Sequence, residues 1–313
     1  MKAVQIREYG GSEVVEVKDI AEPALKEGQI LVKVHAASIN PFDTKIRSGI
    51  YKDSIPLNLP YTPGGDFSGV ILSLGEGVSE FKVGDEVYGN AIVLGGGSGT
   101  LAEFTVANVS ATALKPASLD FIQSASLPLA AASALQAIEE HIQIKPGEKI
   151  LVQGGAGGIG SLAIQMAKLH GAYVVATTSQ ETLEFVKSLG TDEVIDYSTQ
   201  HFEEIIHDYD AVFDTAGGET AAKSLQVVKK GGTIVSMAAQ FDPAEIEKYG
   251  VTAISQVTKS TADKFKRIAE LVDSGKLKAE VDKIFPLEQI KEAFDYLEKT
   301  HPKGKVVVKI KVS

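Results

Sequence analysis

Two kinds of hydrophobic patterning divide the chain, and the change falls near Asp120. Before it, short alternating or β-branched runs stand at Ala3–Ile6, Val14–Val17, Gln29–Ala37, Asp66–Leu74 and Glu86–Tyr88. Pro23, Gly28, Pro41, Pro60, Pro63, Gly75, Gly77 and Gly84 punctuate them. Short strands broken by frequent turn residues predict a barrel or sandwich. The segment Leu94–Gly99 reads as a flexible loop by composition. From Phe121 to Ile142 the chain is rich in Ala and Leu with helical spacing. Strands and helices then alternate. Strands are expected at Lys149–Gln153, Tyr173–Thr177, Glu193–Asp196, Ala211–Thr215 and Thr233–Met237, and helices at Ile159–His170, Gln180–Leu189 and Glu219–Val227. Such alternation predicts a parallel sheet covered by helices. Two further helices are expected at Lys264–Ser274 and Leu287–Thr300, followed by a terminal strand at Lys305–Val312. A lone strand after a helix joins a sheet already present, so the tail is expected to return to the N-terminal β region. The expected organisation is a discontinuous β-rich domain over 1–120 and 272–313 that encloses an α/β domain over 121–271.

A length of 313 residues suits two domains. Acidic residues number 41 against 31 basic ones, a formal net charge of −10. That argues against nucleic acid or an anionic membrane as the main partner. The chain has no cysteine, which removes disulfides, thiolate nucleophiles and cysteine-ligated zinc. The N-terminus MKAVQIREYGG carries charges where a secretory signal needs an apolar run. The apolar stretch from Ala125 to Ile138 contains Pro128, Ser133 and Gln136 and falls short of the ~20 residues of a membrane span. A cytoplasmic location is the expectation. The six histidines, His35, His141, His170, His201, His207 and His301, show no metal-ligand spacing, and no metal site is expected.

The strongest local signal is KILVQGGAGGIGSLAIQMAKLHGAYVVATTS. A strand runs into Gly155-x-Gly157-x-x-Gly160, and a helix and second strand follow. The first glycine permits a tight turn, the second lets a diphosphate approach the backbone, and the third lets helix and strand pack closely. Gly154, Ala156 and Gly158 add further room, and the helix opening near Ile159 presents N-terminal N–H groups and a partial positive charge that suit phosphates. The turn therefore predicts a dinucleotide site. NAD binders place Asp or Glu at the end of the second strand, against the ribose 2′-hydroxyl. Here that strand ends in Thr177-Thr178-Ser179. A carboxylate would repel a 2′-phosphate, whereas hydroxyls can bond to it, so NADPH is favoured. Ser179 is the first candidate partner and Thr178 the second, with Tyr197 supplying another hydroxyl or packing near the adenosine. Lys187 reads equally well as a solvated surface charge.

The segments NPFDTKIRSG near Asn40, PGGDFSGV from Pro63, VGDEVYG from Val83, SLPLAAASA from Ser126, the glycine turn and GKVVVKI from Gly304 resemble the medium-chain dehydrogenase/reductase superfamily. Within it the chain is similar to the zinc-free quinone oxidoreductases, and to plant alkenal/enone reductases through YVVATTS, EFVKSLGTDEVIDY and GTLAEF. The resemblance implies a GroES-like catalytic domain built from both ends of the chain, a Rossmann NADP-binding domain, and an active site in the cleft between them. Zinc-dependent members carry a Cys near the Asn40–Pro41 position and a His in a GHE segment, which here is Gly64-Gly65-Asp66.

The implied reaction is hydride transfer from NADPH to an α,β-unsaturated carbonyl or a quinone without zinc. Reduction of other carbonyls such as aldehydes, and noncatalytic NADPH binding, are the alternatives. The implied partners are an enone, enal or quinone and a second copy of the chain, paired through the edge of the Rossmann sheet near Thr233–Met237. The resemblance places Asn40 near the nicotinamide, where its amide could donate to a carbonyl; a turn residue before Pro41 is the alternative. Asp43 reads more readily as a helix cap. Tyr51 matches a tyrosine of several quinone reductases and is a candidate proton donor. Asp66 reads as structural. The plant enzymes carry a lysine after the Ser of ATTS that Ser179-Gln180-Glu181-Thr182 lacks, which weakens the preference for NADPH without reversing it. If Gly95–Gly99 borders the cleft, a mobile loop and a broad substrate range follow.

Overall fold

Alternation in the first third produces strands at each expected place. In the computed structural model, which describes residues 1–311, they are β1 (Lys2–Ile6), β2 (Val15–Asp19), β3 (Gln29–Ile39), β4 (Asp66–Leu74) and β5 (Glu86–Asn90). Helix α1 (Pro41–Arg47) follows β3, and two strands that the pattern does not announce, β6 (Phe104–Asn108) and β7 (Thr112–Leu114), follow β5. The Ala/Leu-rich stretch is not one helix. Pro128 restarts it, giving α2 (Phe121–Ala125) and α3 (Pro128–Leu135), and α3 runs into a π-helical turn over Gln136–Ile142. Then come β8 (Lys149–Gln153), α4 (Gly158–Leu169), β9 (Tyr173–Thr178), α5 (Leu183–Ser188), β10 (Glu193–Asp196), α6 (Phe202–Ile205), β11 (Tyr209–Asp214), α7 (Gly218–Ser224), β12 (Val228–Ser236), α8 (Pro243–Tyr249) and β13 (Thr252–Ser255). The chain ends through α9 (Ala262–Asp273), β14 (Val281–Pro286), α10 (Ile290–Lys299) and β15 (Lys305–Lys309). Val312, expected in the last strand, lies outside the described residues.

These elements form two units. The first comprises Met1–Leu129, Ser260–Gly275 and the chain from Ala279 onward; the second comprises Ala130–Lys259 and Lys276–Lys278. In the first, a sheet runs in the order β14-β15-β3-β4-β5-β7, with β6 also paired to β3, and β1 and β2 form a hairpin. The tail does return: β15 lies antiparallel to β3, with Val306 opposite Ile39 and Val308 opposite Ala37. The core joins both ends of the chain through Val4, Ile6, Phe67, Phe294, Val306 and Val308. Helix α9 belongs to this unit. Its buried stripe of Phe265, Ile268, Leu271 and Val272 is amphipathic at helical period. The Tyr88 hydroxyl donates to the Phe265 carbonyl at 2.6 Å.

The glycine-rich segment after β5 packs closely against neighbouring backbone. A Cβ on Gly97 would stand 2.2 Å from the Ala91 carbonyl oxygen, and one on Gly99 2.1 Å from that of Thr62. Thr105 Oγ1 donates to the Gly99 carbonyl at 2.7 Å, and Asn108 Nδ2 to that of Gly95 at 2.7 Å. The glycines here serve close backbone packing.

The second unit is a parallel six-stranded sheet in the order β10-β9-β8-β11-β12-β13, the doubly wound Rossmann arrangement. Its strands are near-continuous apolar runs because both faces are covered. Leu151, Val175, Val212 and Ile234 form its core. The strand order reverses between β8 and β11, the place where such sheets open a crevice for ligands. Of the strand expected at the edge and its flanks, β12, which holds Thr233–Ser236, pairs on both sides; the edge beside it is β13, and β10 forms the other edge.

Candidate active site and nucleotide cradle

In the second unit the glycine turn leaves β8 at the switch point and enters α4. Gly154, at φ +73°, makes the bend, and its N–H reaches Thr177 Oγ1 at 3.2 Å. The Gly155 N–H donates to the Thr177 carbonyl at 2.9 Å, tying the turn to β9. The three motif glycines have different surroundings. A Cβ on Gly155 would stand 2.9 Å from Ala176 Cβ, and one on Gly160 2.2 Å from the Gly154 carbonyl oxygen. On Gly157 the nearest atom would be 3.5 Å away. Gly155 and Gly160 are therefore required by the protein's own packing. Gly157 is not, and the space it leaves lies where α4 begins. Gly158 and Ile159 are half-buried in the first turn of this twelve-residue helix, whose leading N–H groups have no intrahelical acceptor.

Two neighbouring strand ends flank the turn. Thr178 ends β9 and Ser179 follows it, and Tyr197 follows β10 with its N–H on the Thr178 carbonyl at 3.0 Å. Sequence reasoning thus collected residues that the fold brings to one edge of one sheet. Their side chains differ in availability. The Thr178 hydroxyl is buried against that of Thr182. Ser179 is half-buried, with its hydroxyl 3.1 Å from Thr182 Oγ1, and Tyr197 is half exposed. Thr182 escaped the sequence reading, as did Gln153, whose amide spans Thr177 Oγ1 (2.5 Å) and Ser224 Oγ (3.1 Å). Asp214 was also missed. It accepts from the N–H groups of Ala216 and Gly217 and from the Ser236 hydroxyl, and the Asp-Thr-Ala-Gly-Gly run after β11 was the available signal.

In the first unit, Asn40 follows β3 and caps α1. Asp43 returns the bond, accepting the Asn40 N–H at 2.8 Å, while its own N–H donates to the Asn40 carbonyl at 2.9 Å. The cap that the sequence put at Asp43 is Asn40, and Asp43 serves α1 from the third helical position as its partner. The Asn40 side chain is buried. Its Nδ2 donates to Asp66 at 2.9 Å, and its Oδ1 accepts from Lys305 Nζ. Asp66 is wholly buried and is the hub of the cluster. It also accepts from Ser38 Oγ (3.1 Å), Asn90 Nδ2 (3.2 Å) and the Leu129 N–H (3.0 Å), and Lys305 Nζ lies 3.7 Å away. Lys305 gave no sequence signal, because a single lysine heading KVVVK reads as a solvated residue. Tyr51 stands apart, half-buried with its ring tilted over Phe42 at 6.1 Å; among the described residues no hydrogen bond joins it to Asn40.

Burial pushes the Asp43 carboxyl up to about 7, the Asn40 N–H opposes the rise, and the nearby Asp66 charge adds to it. Burial also pulls Lys305 below the usual lysine range, against the attraction of Asp66 and Asp43. The folded chain therefore holds the Asp43 proton longer than the unfolded chain, whose carboxyl titrates near 3.8. Its contribution is present in full below the unfolded value and is lost as pH rises through the folded one. We expect wild-type stability to fall relative to Asp43→Asn between about pH 4 and 7. Urea midpoints of both proteins across that range measure this; a constant difference would refute the assignment.

Residues 26–117 match the family described as alcohol dehydrogenase GroES-like domain, and residues 189–308 the family described as zinc-binding dehydrogenase. The chain is 41% identical to the NADPH-dependent alkenal/one oxidoreductase, chloroplastic, of Arabidopsis thaliana, over 98% of this chain and 79% of that protein. It is 40% identical to the 2-methylene-furan-3-one reductase of Solanum lycopersicum, with the same coverage of 98% and 79%. The solved quinone oxidoreductase from Coxiella burnetii superposes with a TM-score of 0.91 at 35% identity, covering 99% of each chain.

Proposed function

Because the chain belongs to the quinone-oxidoreductase branch of the medium-chain dehydrogenase/reductase family, we propose that it is an NADPH-dependent reductase of α,β-unsaturated carbonyls and quinones that works without zinc. The observation that carries this reading is the cradle at Gly157. Open backbone at the head of α4 is flanked by a strand end that offers hydroxyls and no carboxylate. In this reading Gly155, Gly157, Gly158, Ile159 and Gly160 hold the diphosphate. Ser179 and Tyr197 face the 2′-phosphate, and Thr178 supports them through Thr182. The second unit is the nucleotide-binding domain and the first the catalytic one. When bound, NADPH supplies the hydride that reduces an electron-poor carbon.

The protein's own share is orientation and electrostatics. Reduction at the β-carbon of an enone gathers negative charge on the carbonyl oxygen, and a fixed N–H donor there lowers the barrier. Asn40 is the residue proposed to give that bond, and Tyr51 is a proposed proton donor. Zinc does not fit the donor set. The chain has no cysteine, and the one carboxylate at the expected metal position, Asp66, is engaged by four donors and the Lys305 ammonium. A homodimer joined through the β13 edge and a cytoplasmic site of action belong to the same proposal. Among the described residues, no helix is long and apolar enough to cross a membrane.

The test is a panel of quinones, enals, enones and aldehydes run with NADPH and NADH, with product analysis for reduction of C=C or C=O. Turnover of enones or quinones at a catalytic rate supports the proposal; turnover of aldehydes alone overturns it. The 2′-phosphate assignment predicts that Ser179→Asp lowers kcat/KM for NADPH by about 30-fold or more, since like charges brought together cost several kcal/mol. NADH kinetics should change little. Equal losses with both cofactors would remove Ser179 from the 2′-phosphate.

A further inference from the structure

Lys305 opens β15 and is buried, with only 6% of its surface exposed. A buried ammonium requires acceptors. Its Nζ donates to the Ile39 carbonyl at 3.1 Å and to Asn40 Oδ1, and it pairs with Asp66 at 3.7 Å. The oxygen and nitrogen of an amide are ordinarily told apart only from their partners. Here the partners decide. An ammonium can only donate and an ionised carboxylate can only accept, so the Asn40 oxygen must face Lys305 and the nitrogen Asp66. One Asn40 N–H is spent on Asp66. The other has no acceptor among the described residues, so it is the amide's remaining donor.

We propose that Lys305 is a positioning residue for the reduction, locking the Asn40 amide so that its second N–H is held ready for the substrate's carbonyl oxygen. This rests on the role proposed above for Asn40. An amide that could turn over would offer its oxygen to the developing negative charge, and reorienting it would add to the barrier. A donor fixed before the reaction avoids that cost. Asp66 contributes by holding the nitrogen end and by attracting the Lys305 amino group from the other side.

The chain contains only four asparagines, Asn40, Asn58, Asn90 and Asn108, so asparagine-selective 15N labelling yields four side-chain amide pairs. The Asn40 pair is identified by its disappearance in Asn40→Asp. It is expected to exchange its protons slowly in the wild type. In Lys305→Met it should shift and exchange about tenfold faster or more, as removal of one bond of ordinary strength permits. In the same variant, kcat with an enone should fall about tenfold or more while KM for NADPH stays within about twofold. Lys305→Arg should recover part of kcat. An unchanged Asn40 pair, or an unchanged kcat, would overturn the proposal. If Lys305→Met does not fold, Lys305→Met/Asp66→Asn removes both charges together, and the same two readouts apply. A wild-type protein that reduces no acceptor would refute the proposed function, and the amide spectrum would still decide whether Lys305 orients Asn40.

Discussion

Gly160→Val is expected to cost about 3 kcal/mol of stability, at the upper end for overpacking, and to lower NADPH affinity about 100-fold or more. The reason is local. A Cβ at residue 160 would stand 2.2 Å from the Gly154 carbonyl oxygen, 2.9 Å from the Gly154 carbonyl carbon and 3.0 Å from Gly155 Cα. All three are backbone atoms of the turn, so no side chain can swing away to make room. Helix α4 would have to lift from β8, and the cradle would widen. Gly157→Ala is the internal control. With its nearest atom at 3.5 Å, the added methyl fits the free protein, and stability should hold within about 1 kcal/mol. The methyl would nevertheless occupy the space proposed for the diphosphate, so binding should weaken while the fold persists. Denaturant melts and nucleotide titrations on both variants measure this. Wild-type stability and affinity in Gly160→Val would disprove the reading of the turn.

Asp66→Ala should be the most damaging single change in the first unit. It leaves Lys305 buried without its counter-charge, and it takes the acceptor from the Ser38 hydroxyl and from the Asn40 and Asn90 amides. Breaking a buried ion pair from one side costs about 3–5 kcal/mol, and orphaned donors add to that. The same substitution made together with Lys305→Met should cost less than the two single losses added, because the stranded ammonium is gone. A double-mutant cycle of unfolding free energies reads the coupling. A loss below about 1 kcal/mol in Asp66→Ala would show that the hub carries little of the unit's stability.

The two units differ in how far their sequences announce them. In the Rossmann sheet most strands are followed by a helix within a few residues, so apolar runs and helical periods alternate in plain sight. The edge strand β13 is an exception; its Thr-Ala-Ile-Ser is only partly buried and carries a weak pattern. The first unit depends on pairings that local pattern cannot show. Strand β6 reads FTVAN and β7 only TAL, and both owe their form to β3 and β5. The period of α9 marks a helix, yet nothing in it says that its apolar stripe belongs with Tyr88 in the first unit. Candidate site residues divide along the same line. Gly155, Gly157 and Gly160 follow from spacing, because turn, phosphate and packing each dictate a position. Lys305 meets Asn40 across 265 residues, and its role comes entirely from β15 lying against β3.

The proposed function rests on nucleotide binding at the glycine turn. Calorimetric titration of the wild-type protein with NADPH, NADH and 2′,5′-ADP tests it without assuming any acceptor. One NADPH site per chain is expected, with weaker binding of NADH and competition by 2′,5′-ADP. Absence of binding by both reduced nucleotides, or tighter binding of NADH than of NADPH, would contradict it.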